Sequence, residues 1–434
     1  MTDPSTPFDI WRPPGDYQEV SSALVGITVF APKQKETSEI EQPVVFECPN
    51  CGAVTRFDVA AGGVACEHCG FISPLRSEQV GKQAQSFEFT LDTLRQAEKG
   101  WGVERRELRC QRCGAALAIP REALTITCPF CGSNEVNLHD AVVDNLRPRF
   151  LVPFSIQPEA IHARAASWLG QGWYHPSELA TNTIIDRFIG IYLPFWTFSS
   201  HISSTWKAEV GYERQIPYYD SSSKAWKTRT VIDWRWENGQ VSNEVDDLIV
   251  SGSSHIDQQI LSQIQPFDLK NLVAYRPDYL AGWQAHTFDI LLPDAWESGK
   301  ATMREEAKAT CYKDITTNHV RNFSMTADFQ DETWRYILLP VYLAAYQFEG
   351  KTYQVMINGQ NGVVAGQKPV VWWKVWVVIA ALFSPGFLCG LASLPLLLVG
   401  GMGVFTLIIT LILLVIAGLL SFKIYHQALS SEVG

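Results

Sequence analysis

Eight of the ten cysteines in this 434-residue chain fall into four Cys-x-x-Cys-Gly motifs, which are arranged as two pairs. Fourteen residues separate the motifs within each pair, and the second pair repeats the first 62 residues downstream. Each motif presents two sulfurs from one tight turn, so two motifs together supply the four thiolates of a tetrahedral zinc site. The predicted ligands of two structural zinc sites are Cys48, Cys51, Cys66, Cys69, Cys110, Cys113, Cys128 and Cys131.

Disulfides or redox dithiols are the alternative for these cysteines. A thioredoxin-like Cys-x-x-Cys motif occurs once, in a βαβ setting, and not four times in matched pairs. Four thiolates also close the coordination sphere, whereas a catalytic zinc keeps one position open. We therefore expect structural zinc that stabilises modules too small to bury a core of their own. His68, inside the second motif, is expected to be a solvated loop residue.

The cysteine pairs define two tandem zinc-ribbon (rubredoxin-like) β modules, ribbon 1 at residues 44–75 and ribbon 2 at residues 104–139. Alternating residues and turn residues in their spacers predict β-hairpins. Residues 76–103 are expected to form a helical linker, with a capped helix over Leu91–Lys99. Residues 1–43 lack a basic segment followed by an apolar stretch, so we expect a loose N-terminal arm and no secretory signal there.

Net charge limits the range of partners. A charge of −10 and a pI near 5.4 argue against broad attraction to nucleic-acid phosphates. Ribbon 2 is locally basic, but nearby glutamates nearly cancel its arginines, so a nucleic-acid patch and a solvated mixed-charge face both stay open. Thiolate zinc sites without a disulfide framework indicate a reducing compartment, the cytosol. The arginines are Arg105, Arg106, Arg109, Arg112 and Arg121.

Residues 140–368 are predicted to form a mixed, β-rich α+β globular domain. Helices are expected where apolar residues recur at helical spacing between breaker residues. The helix candidates are Ala160–Leu169, Ile256–Ile264 and Ala301–Val320. The strand candidates are Phe188–Phe198, Ser203–Tyr212, Thr228–Trp236, Arg335–Phe348 and Lys351–Ile357.

Two prolines lie inside these apolar strands, at Pro194 and Pro340. Because proline has no N–H for the ladder, both positions are expected at sheet edges or bulges. The many aromatic residues of this region are interpreted as the core of a β-rich domain, and a binding groove lined by them is the alternative.

The C-terminal part of the chain predicts a transmembrane helical hairpin at residues 369–424. No charged residue occurs from Val375 to Leu420, a run of 46 positions. Since one spanning helix takes about 20 residues, we expect two spans, at about 371–391 and 402–422, that contact the lipid bilayer. A helical hairpin buried in a soluble protein is the alternative. Residues 425–434 are predicted to be a cytosolic tail.

Flanking residues predict the orientation of this hairpin. Three tryptophans mark an interfacial belt and three lysines flank the hydrocarbon, whereas the segment between the spans carries no lysine or arginine. Both ends of the hairpin are therefore expected to face the cytosol, in agreement with the compartment that the thiolates require. The sequence predicts a two-span protein of the inner (cytoplasmic) membrane with cytosolic N and C termini. The flanking residues are Trp372, Trp373, Trp376, Lys368, Lys374 and Lys423.

The sequence contains no catalytic motif of a familiar kind. It lacks the P-loop G-x-x-x-x-G-K-[ST] and the H-E-x-x-H, G-x-S-x-G and H-x-E patterns of metalloproteases, hydrolases and deaminases. Cys311 is interpreted as an ordinary half-buried cysteine, with a reactive thiol as the alternative. Five histidines of the middle domain have no partner at ligand spacing, so no catalytic residue is assigned. They are His175, His201, His255, His286 and His319.

A family resemblance rests on three features: the paired cysteine motifs, the strand Ile191–Phe198 (IYLPFWTF) and the segment Ile357–Gly366 (INGQNGVVAG) before the membrane. Over most of residues 44–422 the chain resembles bacterial membrane-anchored zinc-ribbon proteins. These are labelled TFIIB-type zinc ribbon proteins or primosomal protein N′ (replication factor Y), superfamily II helicase. The resemblance implies a scaffold or recruitment role in membrane-stress or envelope maintenance. Helicase activity does not carry over, because the ATPase motifs are absent.

Two functions from different classes follow. The first is a membrane-anchored, cytosol-facing double zinc-ribbon adaptor that binds protein partners at the membrane. The second is a membrane-tethered nucleic-acid-binding protein without helicase activity, which would use the arginines of ribbon 2. An enzyme whose site lies in residues 140–368 is a third alternative. The sequence favours the adaptor, and it indicates neither the partner nor the oligomeric state.

Overall fold

The computed structural model describes residues 17–20, 29–32, 46–75, 79–81, 84–88, 99–102, 105–120, 127–140, 146–180, 188–396 and 402–433. The chain divides into two compact units, residues 1–44 and 45–434. In the first unit, strands β1 (Tyr17–Val20) and β2 (Val29–Pro32) pair antiparallel. The segment predicted as a loose arm therefore contains two paired strands.

The second unit is α+β, as predicted, and its largest sheet has 12 strands. Its strands are β3 (Arg56–Asp58), β4 (Gly63–Ala65), β5 (Ile72–Pro74), β6 (Phe87–Glu88), β7 (Arg106–Cys110), β8 (Ala116–Ile119), β9 (Val136–Asp140), β10 (Phe150–Leu151), β11 (Ile189–Asp220), β12 (Ala225–Ser251), β13 (Val273–Ala274), β14 (Gln284–His286), β15 (His319–Phe348), β16 (Lys351–Asn358) and β17 (Val364–Gly366). Its α-helices are α1 (Pro158–Leu169), α2 (Gln258–Ile264), α3 (Leu292–Asp314), α4 (Trp372–Leu396) and α5 (Met402–Val433).

Three strands are far longer than the usual five or six residues. β11, β12 and β15 contain 32, 27 and 30 residues, and β11 pairs antiparallel with each of the other two. Their apolar ends form the centre of the large sheet. Beyond Gly211 only β11 and β12 remain paired, out to a turn between Asp220 and Ala225.

The predicted strands Phe188–Phe198 and Ser203–Tyr212 are parts of the single strand β11. In the same way, Thr228–Trp236 and Arg335–Phe348 are parts of β12 and β15. The prediction ended each strand at polar residues. Those residues instead continue the strands. Between Ser200 and Val210 alternate residues of β11 are buried, whereas beyond Tyr212 both of its faces are largely exposed and pairing with β12 replaces burial.

Pro194 and Pro340 lie inside β11 and β15, not at a sheet edge or a bulge as predicted. Each proline sits where the neighbouring strand changes, from β14 to β12 beside β11 and from β10 to β16 beside β15. On that side no neighbouring strand pairs with the proline, so the absence of its N–H breaks no hydrogen bond of the sheet. Both proline carbonyls still accept a hydrogen bond of 2.9 Å, from the N–H groups of Gly252 and Gly359.

Helix α3 covers one face of the long strands. It begins nine residues before the predicted start at Ala301, because Pro293 occupies the first turn, where no N–H is needed. Gly299 lets the helix approach the sheet closely, since a Cβ there would lie 3.1 Å from the ring of Phe198. At the C-terminal end of α3, Trp206 of β11 donates a 2.9 Å hydrogen bond to Asp314 Oδ2.

The remaining predicted elements have mixed outcomes. The predicted helix Ala160–Leu169 lies within α1, and Asp257 caps α2 by accepting a 2.8 Å hydrogen bond from Gln259 N–H. The predicted helix Leu91–Lys99 lies outside the described residues apart from its last residue.

Helices α4 and α5 are long and apolar enough to cross a membrane. Only 11% and 17% of their most apolar windows are buried, so a hairpin enclosed by a soluble protein does not describe them. Pro385 lies inside α4 without ending it, as membrane helices allow. Gly386 permits close packing of the pair, because a Cβ there would lie 2.8 Å from Leu414 Cδ2.

Both outer ends of this hairpin are fixed to the folded body. The end of α5 returns to the start of α4, where Lys368 N–H donates to Ser431 O at 2.8 Å and Trp372 Nε1 donates to Glu432 Oε2 at 3.1 Å. The Lys368 side chain also donates to the carbonyl of Trp168, at 2.6 Å. Burial lowers the pKa of Lys368 to about 8.

Candidate metal centres

All four Cys-x-x-Cys-Gly motifs fold in the same way. The N–H of the first cysteine donates to the carbonyl five residues later, and the glycine N–H donates back to the carbonyl of that cysteine. In the first motif these bonds are 2.7 Å, from Cys48 to Ala53, and 2.8 Å, from Gly52 to Cys48. The four glycines have positive φ. They are Gly52 (73°), Gly70 (71°), Gly114 (81°) and Gly132 (70°).

The turns bring the cysteine sulfurs together in two clusters of four, each with all its ligand atoms within 4.8 Å of one another. The closest sulfur pairs are Cys48–Cys69 (3.5 Å), Cys51–Cys66 (3.6 Å), Cys110–Cys131 (3.6 Å) and Cys113–Cys128 (3.6 Å). A tetrahedron with metal–sulfur distances of about 2.3 Å has edges of about 3.8 Å. The separations are thus too long for disulfides and fit a shared metal ion.

Each cluster contains one sulfur that is readily deprotonated. The N–H of Phe71 and neighbouring thiols lower the pKa of Cys69 to about 6. A hydrogen bond from Cys128 lowers the pKa of Cys113 to about 5. Burial and hydrogen bonds with neighbouring thiols raise the pKa of Cys51 to about 12 and the pKa of Cys131 to about 11. Each cluster therefore keeps protons, which a metal ion would displace when the sulfurs bind it as thiolates.

Ribbon 1 packs on the body through Phe57, which lies in the main core cluster, and through the partly buried Phe46, Val59 and Leu75. β3, β4 and β5 form a separate three-stranded sheet, and Phe57 in β3 packs against Tyr279 with ring centroids 5.1 Å apart. The outward part of the module is exposed, including 48% of Val54 and 53% of Ile72. Beside it, a cleft of about 560 Å³ separates the module from the start of α1 and Trp283.

Ribbon 2 is built into the large sheet. β7, β8 and β9 pair with one another, and β8 pairs with β14 of the body. Leu108, Leu117 and Ile119 are fully buried in the same cluster as Phe195 and Ile337 of the central strands. The second cysteine cluster therefore lies on a module that shares its core with the rest of the protein.

The basic surface predicted for ribbon 2 is smaller than its arginine count suggests. Arg105 is buried and donates to the carbonyls of Ala118 (3.0 Å) and Trp283 (3.1 Å). Arg109 pairs with Glu107 at 3.1 Å. Arg121 lies outside the described residues. Two of the five arginines are thus engaged within the protein.

Two other residues considered in the sequence, His68 and Cys311, lie outside the metal clusters. His68 is exposed and outside the cysteine cluster that surrounds it in sequence. Cys311 is fully buried against the long strands rather than half-buried. Burial raises its pKa, so a reactive thiolate is disfavoured there.

The Asn-Gly-Gln-Asn-Gly segment connects two parts of the fold through hydrogen bonds. Asn358 is fully buried, donates to Ile264 O at 2.9 Å and accepts from the N–H of Gln360 at 2.8 Å. Gln360 in turn accepts from the N–H of Asp268 at 2.7 Å. The segment joins β16 to the end of α2, so its polar residues serve packing.

One group of residues was missed by the sequence analysis. His255 and His286 are not isolated, as predicted, but converge with Asp289 in a third cluster whose ligand atoms lie within 4.8 Å of one another. The two histidines are 31 positions apart, so only the fold reveals them as partners. The i, i+3 spacing of His286 and Asp289 was the one available signal.

Over 362 residues the chain is 25% identical to the uncharacterized protein YdjG of Bacillus subtilis (strain 168). That alignment covers 82% of this chain and 99% of the relative. No family model matches the chain, and no solved structure matches it significantly. The described residues combine two four-cysteine clusters with two apolar helices on one α+β body.

Proposed function

We propose that the protein is a membrane-anchored double zinc-ribbon adaptor, which holds Zn²⁺ in both cysteine clusters and binds a protein partner through ribbon 1. The observation that carries this proposal is the contrast between the two ribbons. Ribbon 2 forms part of the large sheet and its core, whereas ribbon 1 keeps a sheet of its own, packs on the body through four apolar residues and leaves Val54 and Ile72 exposed. An open cleft lies between ribbon 1 and the start of α1. Zinc is the metal that four thiolates at tetrahedral spacing favour.

The hydrogen bonds at the base of the apolar hairpin support the proposed orientation. The end of α5 contacts the start of α4, so both helices leave the membrane on the side of the folded body. The body carries the thiolate clusters, and thiolates persist in the cytosol. The protein would then lie in the inner membrane with both termini and both ribbons cytosolic. The adaptor class also agrees with the resemblance to zinc-ribbon scaffold proteins.

We expect a photo-crosslinking amino acid at Ile72 to capture one defined membrane-associated protein in intact cells. The matched control is the same amino acid at Thr302, an exposed position of α3. Capture at Ile72 and not at Thr302, lost when Cys66→Ser unfolds ribbon 1, supports the adaptor. Equal capture from both positions, or none from Ile72, contradicts it.

Nucleic-acid binding is the second candidate, and the described residues give it less support. Arg105 and Arg109 are engaged within ribbon 2, and a charge of −10 opposes phosphate binding. If the crosslinked species were DNA or RNA and binding weakened steeply with salt, this second candidate would replace the adaptor.

A further inference from the structure

We propose that His255, His286 and Asp289 form a third metal site, which binds one exchangeable divalent transition-metal ion at the junction of ribbon 2 and the body. The site differs from the two cysteine clusters in its ligands, which are two imidazoles and one carboxylate. Imidazole with carboxylate suits Zn²⁺ and related divalent ions.

The hydrogen bonds of the two imidazoles are those of metal ligands. One nitrogen of each ring contacts a backbone carbonyl of ribbon 2: His286 Nδ1 lies 2.6 Å from Ala116 O, and His255 Nε2 lies 2.8 Å from Cys113 O. A ring nitrogen that donates to a carbonyl in this way holds the opposite nitrogen towards the site, as backbone carbonyls do around protein-bound metals. In His255 a metal ion would replace the proton that Nδ1 shares with Asp289.

The opposite nitrogens face one carboxylate. His255 Nδ1 lies 2.5 Å and His286 Nε2 lies 4.0 Å from Asp289 Oδ2. Among the described residues, His255 Nδ1 has no partner in ordinary hydrogen-bond geometry despite this short distance. Two ligand atoms that each lie about 2.1 Å from a tetrahedral ion are about 3.4 Å from each other. One nitrogen–oxygen separation in this cluster is shorter than that value and the other is longer, so small side-chain movements would suffice to bind an ion.

The carboxylate is itself held in place. Ser254 donates to Asp289 twice, from its N–H to Oδ1 at 2.7 Å and from its hydroxyl to Oδ2 at 2.9 Å. Ser253 Oγ lies 2.7 Å from His286 Nε2 and donates a hydrogen bond to it, because Nδ1 of the same ring carries the proton given to Ala116 O. A bound ion would displace this hydroxyl, so the site has three protein ligands, whose ligand atoms lie within 4.8 Å of one another.

Access distinguishes this site from a sealed core cluster. His286 is fully buried, but the side chains of His255 and Asp289 remain 19% and 29% exposed. An ion can enter from the Asp289 side, and three protein ligands with one water-accessible position are typical of exchangeable or catalytic sites. His255 contacts the carbonyl of Cys113, which belongs to the second cysteine cluster, and His286 lies in β14. A metal ion bound by both histidines would therefore also stabilise the contact between ribbon 2 and β14.

The test is metal binding by the full chain in detergent after a chelator wash that leaves the thiolate-held zinc in place. Titration with Co²⁺ alone is expected to add one equivalent per chain with ligand-field bands and no sulfur-to-cobalt charge-transfer band. Asp289→Asn should lose this equivalent while keeping the thiolate-held zinc. The control variant Asp233→Asn removes an exposed carboxylate of β12 and should still bind the added cobalt equivalent.

Three results would overturn the proposal. They are no added cobalt in the wild-type protein, a charge-transfer band that assigns the added ion to displaced cysteines, and an added equivalent that persists in Asp289→Asn. The wild-type spectrum decides the matter without any variant, so misfolding of Asp289→Asn would not leave the proposal untested. In the metal-free alternative, His255 is an imidazolium that pairs with Asp289, and the titration then shows no added ion.

Discussion

Replacing Cys128 by serine is expected to unfold the central sheet, whereas replacing Cys66 by serine is expected to unfold ribbon 1 alone. Both changes remove one thiolate from a four-sulfur cluster. Structural zinc supplies about 10–16 kcal/mol of folding free energy in model peptides, as much as the whole net stability of a typical domain, about 5–15 kcal/mol. The difference between the two variants comes from where each ribbon is attached.

The second cysteine cluster shares its core with the body. Cys128 and Phe130 are buried in the same apolar cluster as Phe195 and Ile337, and β8 continues the large sheet through β14. Loss of this cluster therefore exposes the edge of the central sheet. Ribbon 1 forms its own sheet, so its loss removes the core contacts of Phe46, Phe57, Val59 and Leu75 but breaks no strand pairing of the large sheet.

Hydrogen exchange of the full chain in detergent measures this difference. Cys128→Ser should abolish amide protection in the apolar halves of β11 and β15, and Cys66→Ser should abolish it only within residues 46–75. Cys389→Ser, which alters a cysteine outside both clusters, should change neither region. Full protection of β11 in Cys128→Ser would show that ribbon 2 is an independent module.

Replacing Arg335 by methionine is expected to destabilise the body by about 3–5 kcal/mol, the usual effect of leaving one buried charge without its partner. Arg335 Nη2 lies 2.7 Å from Asp247 Oδ1, and only 5% of each side chain is exposed. The pair exists because of a β-bulge. Asp246 and Asp247 together oppose Ser199, and Asp247 adopts a φ of 58°, which turns the strand at this point.

A double-mutant cycle separates the pair from its surroundings. Asp247→Asn alone should also be destabilising, and the double variant should recover much of the loss because no buried charge remains. The control is Arg235→Met, which breaks the exposed pair with Asp233 at 3.2 Å and should change stability by about 0–1 kcal/mol. Denaturant unfolding of the zinc-loaded protein in detergent gives these free energies. A change of less than 1 kcal/mol in Arg335→Met would show that the pair is not buried in solution.

The cysteine geometry and the apolar hairpin were predictable because each has a strict local signature. A thiolate turn requires Cys-x-x-Cys-Gly, and a spanning helix requires about 20 apolar residues. The α+β class also followed from the alternation of short helical and strand patterns. None of these predictions needed a contact between distant parts of the chain.

The long strands and the third cluster depend on such contacts. Beyond Tyr212 both faces of β11 are largely exposed, so its sequence does not differ from a loop until β12 pairs with it. His255 and His286 become recognisable as partners only when the segment before α2 and strand β14 are placed together. The attachment of ribbon 2 to the large sheet could not be predicted from the sequence either. The cysteine spacing of the two ribbons is the same, and it does not indicate which ribbon strand pairs with the body.

The central claim is that two four-thiolate zinc centres hold this chain together, and thiol protection combined with zinc content tests it most directly. After a chelator wash, the purified protein should retain two zinc ions per chain. The eight cysteines of the two clusters should resist alkylation until denaturation in the presence of a strong chelator, and should then all react. Protein without retained zinc, or cysteines of these motifs recovered as disulfides, would contradict the account.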